Sequence, residues 1–381
     1  MTRFIYGALA LATVTLLPGM AARGHAGAAT PLRTVVGNSP DAIGVDSMTA
    51  HVFVANQTDN SVSVLDALSG AVVTTVRVGP YPNAVGVDEA TGRVFVVGVG
   101  SINGDMGVRG SVSVLDARTG ALLRTLPLGN TSTEVAVDAR TGRIFVTNQG
   151  SNTVSVLDAR TGAVLRTVAV GSTPYYLAVD AGTGRVLVAD TGDNKVYVLD
   201  AATGAVLHAT DLGDIPGPVA VDATAHRAYV GFSLSSSIRV LDTRTGRAMG
   251  SLNVATPQTI LADGTARRVY AFGHAAGSGG TVAVIDPTTG KTLRTISMLR
   301  PKAGSVDAVT GRVLVADLTG TVYVLDGRSG RTLRTAMADE EPQAVAIDTR
   351  MGRAFVASLG PLDDSGSPTG RGTVTMVTMR Q

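Results

Sequence analysis

Polar side chains recur at equivalent places along this chain, directly after short apolar runs. They are Asn56, Asn148, Asp190 and Asp317, and two tyrosines, Tyr175 and Tyr176, follow on a nearby connection. Amide, carboxylate and phenol groups can jointly hydrogen-bond a polar ligand. If the apolar runs end at one opening, these six residues predict a ligand site there. The alternative is that the Asn and Asp side chains cap loop backbones.

Catalytic and metal chemistry find less support in the residue pattern. The sequence has no G-x-S-x-G elbow, no phosphate-binding loop and no Cys. None of the histidines beyond the N-terminal segment has a metal-ligand spacing. We therefore assign no catalytic residue, no metal site and no cofactor, and leave open only Ca²⁺ on oxygen ligands. The candidate ligands for Ca²⁺ are Asp105, Asp363 with Asp364, and the segment 190–194.

Residues 1–28 have the form of a secretory signal peptide. A basic start precedes the apolar run 4–17, and Ala26-Gly27-Ala28 offers a small-x-small cleavage site, with cleavage near Ala22 as the alternative. The run is shorter than the roughly 20 residues that a membrane-spanning helix needs, which disfavours an anchor. We therefore expect a mature chain of residues 29–381, periplasmic or secreted, without a transmembrane segment.

Composition excludes several classes of function. The 32 Lys and Arg against 30 Asp and Glu give no support for a nucleic-acid binder. Removing residues 1–28 removes two arginines and no acid, so the mature chain is neutral. The 44% of hydrophobic residues lies mostly in short Val-rich runs after the leader, so it does not indicate a membrane protein.

One pattern repeats along the whole mature chain. An apolar strand ends in Asp, a Thr-Gly turn follows, and two more strands lead to a second Asp, a second Thr-Gly turn and a fourth strand; the clearest copy is 133–174. The first aspartates are Asp46, Asp88, Asp138, Asp180, Asp222, Asp263, Asp307 and Asp348. The second are Asp66, Asp116, Asp158, Asp200, Asp242, Asp286 and Asp326. Asp accepts backbone N–H bonds in such turns, so we interpret these aspartates as structural.

Four short strands in about 40–45 residues are typical of a β-propeller blade. The repeat therefore predicts an all-β fold, a single propeller with eight four-stranded blades. The eighth copy ends without its fourth strand, and Leu32-Arg33-Thr34-Val35 resembles the fourth strand 165–168 of the third copy. We expect this N-terminal strand to pair with the last blade and close the ring, which removes exposed sheet edges.

The repeat resembles that of the YVTN-repeat β-propeller family. The matching segments are Phe53-Val54-Ala55-Asn56, Phe145-Val146-Thr147-Asn148, Leu187-Val188-Ala189-Asp190 and Tyr229-Val230-Gly231-Phe232. The resemblance covers about 30–381 and implies the fold, whereas the family's surface-layer and exported members imply no particular activity. The family is commonly described as seven-bladed, and the sixth copy (260–263) is degenerate, so seven blades are the alternative.

The two faces of the disc should differ in chemistry. The Asp turns lie on one, which we call the turn face; the variable loops lie on the other, which we call the variable face. Of the 30 acidic residues, 14 remain besides the turn aspartates and Glu89, and nearly all of them fall in segments of the variable face, against five basic residues, Arg109, Lys195, Arg300, Lys302 and Arg371. A surface of this sign attracts cations or basic partners and repels nucleic acid.

These observations favour a monomeric, exported binding scaffold. Its variable face would engage a protein or a small polar ligand, because loops on a rigid scaffold are where binding residues concentrate. The alternative is a propeller enzyme with its site at the pore mouth, either a lactonase-like hydrolase or a subunit of a periplasmic oxidoreductase. The absence of a catalytic motif favours the scaffold.

Overall fold

The computed structural model describes residues 31–100, 108–274, 279–363 and 366–379. They form β-strands and one short 3-10 turn, Gln149–Ser151, and no helix among them could span a membrane. The predicted signal peptide, Asp105 and Asp364 lie outside the described residues.

The strands form eight antiparallel four-stranded sheets, each a blade of the propeller. The first strands of blades 1 to 8 are β2 (Pro40–Asp46), β6 (Pro82–Asp88), β10 (Ser132–Asp138), β14 (Pro174–Asp180), β18 (Pro216–Asp222), β22 (Pro257–Asp263), β26 (Pro301–Asp307) and β30 (Pro342–Asp348). The second strands are β3 (His51–Asn56), β7 (Arg93–Gly98), β11 (Arg143–Asn148), β15 (Arg185–Asp190), β19 (Arg227–Phe232), β23 (Arg268–His274), β27 (Arg312–Asp317) and β31 (Arg353–Ser358). The third strands are β4 (Ser61–Asp66), β8 (Ser111–Asp116), β12 (Thr153–Asp158), β16 (Lys195–Asp200), β20 (Ser237–Asp242), β24 (Gly280–Ile285), β28 (Thr321–Asp326) and β32 (Thr373–Thr378). The fourth strands are β5 (Val72–Arg77), β9 (Leu122–Pro127), β13 (Val164–Ala169), β17 (Val206–Asp211), β21 (Ala248–Asn253), β25 (Thr292–Met298), β29 (Thr332–Met337) and, from the N-terminus, β1 (Leu32–Val35).

The eight-bladed prediction is confirmed, and the seven-bladed alternative is wrong. The degenerate sixth copy still forms a complete blade, because β22 keeps its pairing with β23 through Ile260 and Leu261. The first strands of neighbouring blades lie side by side around the axis, and the fourth strands are mostly exposed at the rim. The wall of the central channel is therefore built from the first strands.

The hydrophobic core lies between the blades. Phe145 of the second strand in blade 3 is fully buried and packs with Val154 and with Val186 and Leu199 of blade 4. The same arrangement recurs between neighbouring blades around the ring, with Phe, Leu or Tyr at the position of Phe145. Each blade thus buries its apolar faces only against its neighbours, which makes stability depend on a closed ring.

The Asp turns are structural, as predicted. In the second turn of blade 3, both the N–H and the hydroxyl of Thr161 donate to Asp158 at 2.8 Å. These bonds hold the pKa of Asp158 below its usual value, and the pKa values of the other six second-turn aspartates are lowered as well. The first-turn aspartates are buried. These carboxylates serve the turns of the blades.

Ring closure by the N-terminal strand is confirmed. β1 pairs with β32, and the N–H of Val36 donates to the carbonyl of Gly372 at 2.9 Å. The register differs by one residue from the sequence resemblance: Leu32 pairs with Met376, so it occupies the place of Arg166, whereas the resemblance aligned it with Leu165. Val36 and Val170 are both buried and each stands four residues before the proline that opens the next blade, so the buried valine sets the register from that end.

Candidate ligand site at the channel mouth

The asparagines at the ends of the second strands are buried and hydrogen-bonded within the protein. Asn148 accepts a bond from the hydroxyl of Ser132 at 2.9 Å and donates to those of Thr153 at 3.0 Å and Ser155 at 2.9 Å. Asn56 makes the equivalent bonds in blade 1, accepting from a backbone N–H at 3.1 Å and donating to two serine hydroxyls at 3.0 Å. Asn148 therefore joins the first and third strands of its blade, and Asn56 joins the connection before its blade to the third strand.

Asp190 and Asp317 occupy the corresponding places in blades 4 and 7. Asp190 accepts backbone N–H bonds from Thr173 at 3.0 Å and from the turn 192–193 at 3.0 and 3.1 Å. Asp317 accepts two at 3.1 Å from the loop 319–321. Burial raises the pKa of Asp190. These four predicted ligand residues stand in four different blades, one strand away from the channel wall, and their use by a ligand stays a prediction.

The structure places the two predicted tyrosines together on the channel wall, on β14. Their ring centroids are 4.7 Å apart at an interplanar angle of 53°, and the carbonyl of Tyr175 accepts a bond from Thr147 at 2.9 Å. Tyr175 remains 39% exposed. Burial, then the neighbouring Tyr175 and Glu134, raise the pKa of Tyr176 to about 12. Both phenols therefore stay neutral and can donate hydrogen bonds.

Glu134 was not among the predicted site residues, yet it lies beside the tyrosines. It stands on β10, and its carboxylate accepts the N–H of Leu177 at 2.8 Å. Burial raises the pKa of Glu134 to about 7, although part of the side chain remains accessible from the channel. A signal existed in the sequence: the same position is Ala in blades 1, 2, 7 and 8. A carboxylate there departs from the repeat.

Asp41 and Lys302 complete the same end of the channel. Asp41 accepts a bond from the side chain of Gln57 at 3.2 Å; burial raises its pKa, and the charge of Lys302 partly opposes this. Burial and then the charges of Glu134 and Asp41 raise the pKa of Tyr175. Charges in blades 1 and 3 thus act on one phenol in blade 4. We call the five residues Asp41, Glu134, Tyr175, Tyr176 and Lys302 the channel mouth.

The channel mouth can bind a cationic or hydrogen-bond-donating group. Two carboxyls against one ammonium attract positive charge, and the tyrosine rings can contact a cation through their faces. A carboxyl with a pKa near 7 can also exchange a proton at neutral pH. Within the ranges that the structure describes, no three His, Asp or Glu side chains come together as metal ligands.

Glu134 is expected to make stability depend on pH. The folded protein holds a proton between pH 4.5 and about 7 that the unfolded chain has released. The contribution of this group to the free energy of unfolding is therefore fully present below about pH 4.5. It falls by on the order of 3 kcal/mol as the pH rises from there through 7. Thermal unfolding of the wild type and of Glu134→Gln at about pH 5 and about pH 8 measures it.

The Gln variant keeps an acceptor for the N–H of Leu177, so it serves as its own structural control. We expect Glu134→Gln to unfold at a higher temperature than the wild type at the alkaline pH and to lose the advantage in acid. Melting temperatures that move in parallel with pH for both proteins would contradict a shifted Glu134.

Comparisons with known proteins agree with this architecture. A family model described as PQQ_2, outer membrane protein assembly factor BamB, matches residues 108–272. Over these residues the chain resembles a BamB-type propeller repeat. No curated protein matches the chain. Membership of the YVTN-repeat family in particular stays a prediction.

Two solved structures share the fold. The computationally designed Ika8 protein is 18% identical, with 90% of this chain and 98% of that one covered and a TM-score of 0.70. BamB from Moraxella catarrhalis is also 18% identical, with coverage of 91% and 99% and a TM-score of 0.64. At this identity the likeness establishes the BamB-like propeller fold and leaves the activity to be argued from the site.

Proposed function

We propose that the protein is an exported binding scaffold whose channel mouth receives a basic segment of a partner protein. The observation that carries this is the meeting of Asp41, Glu134, Tyr175 and Tyr176 at one end of the channel. Their neighbours Asn148 and Asp190 are hydrogen-bonded to groups of the protein itself. The exposed Tyr175 and the partly exposed Tyr176, Glu134 and Asp41 are therefore the groups available to a partner.

Charge supports a basic partner. The variable face carries more acids than bases by sequence, and among the described residues Arg33 pairs with Asp339 there at 2.6 Å and Lys195 with Asp193 at 3.3 Å. An acidic surface around an acidic channel mouth steers a cationic chain towards it. The BamB of the matching family model is an assembly factor, a protein that acts on other proteins, which supports a protein partner and, with the predicted leader 1–28, a periplasmic place.

Selection from a displayed library of random peptides tests this. We expect selected peptides to be rich in Lys and Arg, and the double variant Tyr175→Ala with Tyr176→Ala to bind them at least about tenfold more weakly, because stacked aromatics dominate such contacts. Leu234→Ala, at a 76% exposed residue in the loop between β19 and β20, is the control and should bind normally. Selection of acidic or uncharged peptides, or equal binding by the double variant, would refute the proposal.

A lactonase-like hydrolase is the second candidate, and the raised pKa of Glu134 favours it, because a general base works best near neutral pH. The test is hydrolysis of a lactone panel by the wild type, with loss of activity in Glu134→Gln.

The family label also refers to pyrroloquinoline quinone, which carries three carboxylates. The channel mouth offers it Lys302 against Asp41 and Glu134, and this balance of charge does not fit an anionic cofactor.

A further inference from the structure

A groove opens on the turn face between blades 5 and 6, on the opposite side of the disc from the channel mouth. It consists of two adjoining cavities, an outer one of about 230 Å³ and an inner one of about 320 Å³. Arg227, Pro287 and Thr288 line both. The combined space is in the range of small-molecule sites.

Gly250 creates the outer cavity by departing from the repeat. The side chain at this place in the fourth strand is an arginine in four blades, at Arg124, Arg166, Arg294 and Arg334. The stems of Arg166 and Arg294 lie against the turn glycine of the next blade. A Cβ at Gly250 would meet nothing within 4 Å, and Gly290 of the next blade is covered there only by Leu252. The missing side chain leaves the groove open.

Arg227 belongs with Arg268 and Arg353 to the arginines that donate to a carbonyl in the second turn of the next blade. Arg93 and Arg185 each pair with the second-turn aspartate of their own blade at 3.1 Å. Arg227 instead donates to the carbonyl of Pro287 in blade 6 at 3.2 Å, and within the described part of the chain it has no carboxylate partner at ion-pair distance. Its charge is therefore available at the junction of the two cavities.

Tyr229 supplies a second, independent feature. The residue is fully buried and lines the inner cavity beside Arg227, and its hydroxyl hydrogen has no acceptor among the described residues. The equivalent Tyr270 of blade 6 donates to the carbonyl of Gly327 in the next blade. Burial, and then the charge of Asp222, raise the pKa of Tyr229 to about 12 against the opposing charge and hydrogen bond of Arg227, so the phenol stays protonated as a donor. An unpaired buried hydroxyl costs free energy that a ligand oxygen would recover.

The two cavities differ in their lining residues. The inner cavity holds Arg227, Arg267 and Asp222, two cations against one anion. One oxygen of Asp222 already accepts bonds from the hydroxyl of Thr224 at 2.5 Å and from two backbone N–H groups at 2.9 and 3.0 Å. In the outer cavity, Val240, Met249 and Leu252 lie beside the polar residues Ser251, Thr288 and Thr289.

We propose that this groove binds a small organic carboxylate, whose charged group meets Arg227 and the hydroxyl of Tyr229 and whose apolar body lies along Met249 and Leu252. Guanidinium and phenol donors match carboxylate oxygens in number and geometry. The site is independent of the channel mouth, so its test can fail without affecting the proposed scaffold function.

Calorimetric titration with benzoate, and with benzamide as the neutral analogue of the same shape, tests the site. We expect benzoate to bind and benzamide to bind at least about tenfold more weakly. Tyr229→Phe should weaken benzoate binding several-fold. Gly250→Arg restores the side chain of four other blades, so it should fold normally, fill the outer cavity and abolish binding.

Thr74→Arg is the matched control, because Thr74 holds the same place in blade 1. It should bind benzoate as the wild type does, and thermal unfolding of every variant verifies that it is folded. Failure of the wild type to bind benzoate overturns the proposal. Equal binding of benzoate by folded Gly250→Arg, or equal affinity of the wild type for benzamide, overturns it as well.

Discussion

Removal of the closing strand, residues 31–37, is expected to lower the free energy of unfolding by on the order of 5 kcal/mol and to cause aggregation. The loss combines the buried Val36 side chain, about 1.5–3 kcal/mol, with several ladder hydrogen bonds of about 1 kcal/mol each. The carbonyl of Val36 also accepts a bond from Arg371 at 2.7 Å. Without β1, the edge of β32 is open to pairing with other chains. Urea unfolding and light scattering compare chains beginning at Pro31 and at Asn38.

Two substitutions test the register of β1, whereas the truncation tests only whether the strand is needed. Val36 is fully buried and Val35 is 55% exposed, so Val36→Asp should destabilise the protein strongly and Val35→Asp hardly at all. The alignment of Leu32 with Leu165 would place residue 35 at an inward position. A larger effect at Val35 would contradict the observed register, and equal unfolding of the two truncated chains would show that β1 does not hold the ring closed.

Substitution of Asn148 by Ala is expected to lower the free energy of unfolding by about 2–4 kcal/mol and to leave binding of a basic peptide unchanged. The change removes three hydrogen bonds from a fully buried amide and leaves buried hydroxyls on Ser132 and Ser155. The folded fraction should still bind, because the side chain is buried and bonded to neighbouring strands of its own blade. Denaturant unfolding and peptide titration on the same preparation measure both effects.

Asn38→Ala is the control, because Asn38 is an exposed asparagine whose amide donates to Asp59 at 2.8 Å. Exposed hydrogen bonds of this kind contribute little, so its unfolding should change by less than about 1 kcal/mol. If Asn148→Ala instead abolished peptide binding with unchanged stability, the asparagine would be a ligand residue, as its position in the sequence first predicted, and the capping interpretation would be wrong.

Departures from the repeat distinguish function from architecture in this molecule. Features present in nearly every blade, such as the Asp turns, have structural partners within the blade. Both candidate sites lie where a blade breaks the pattern, with Glu134 in place of alanine and Gly250 in place of arginine. Selection on a common scaffold can act independently on single blades, because each blade contacts only its neighbours.

The eight blades, their strands, the Asp turns and the closing strand could all be predicted from the sequence. Each depends on local signals: alternation of apolar residues, turn residues, and a repeat long enough to count. The sequence could not predict that Tyr175 lines the channel and Asn148 does not. Each residue stands at the end of an apolar run, Tyr175 before one and Asn148 after one. The structure separates them, because one lies on the innermost strand and the other one strand further out.

Only the tertiary structure decides which residues come close to one another. Asp41 and Tyr175 are 134 positions apart and act on each other only because the ring brings blades 1 and 4 to one channel. The pKa of Glu134 is raised by burial in the wall of that channel. Residues next to it in the sequence do not cause this shift. The sequence determined the blades because strands and turns form from short-range patterns; the sites arise from closure, a property of the whole chain.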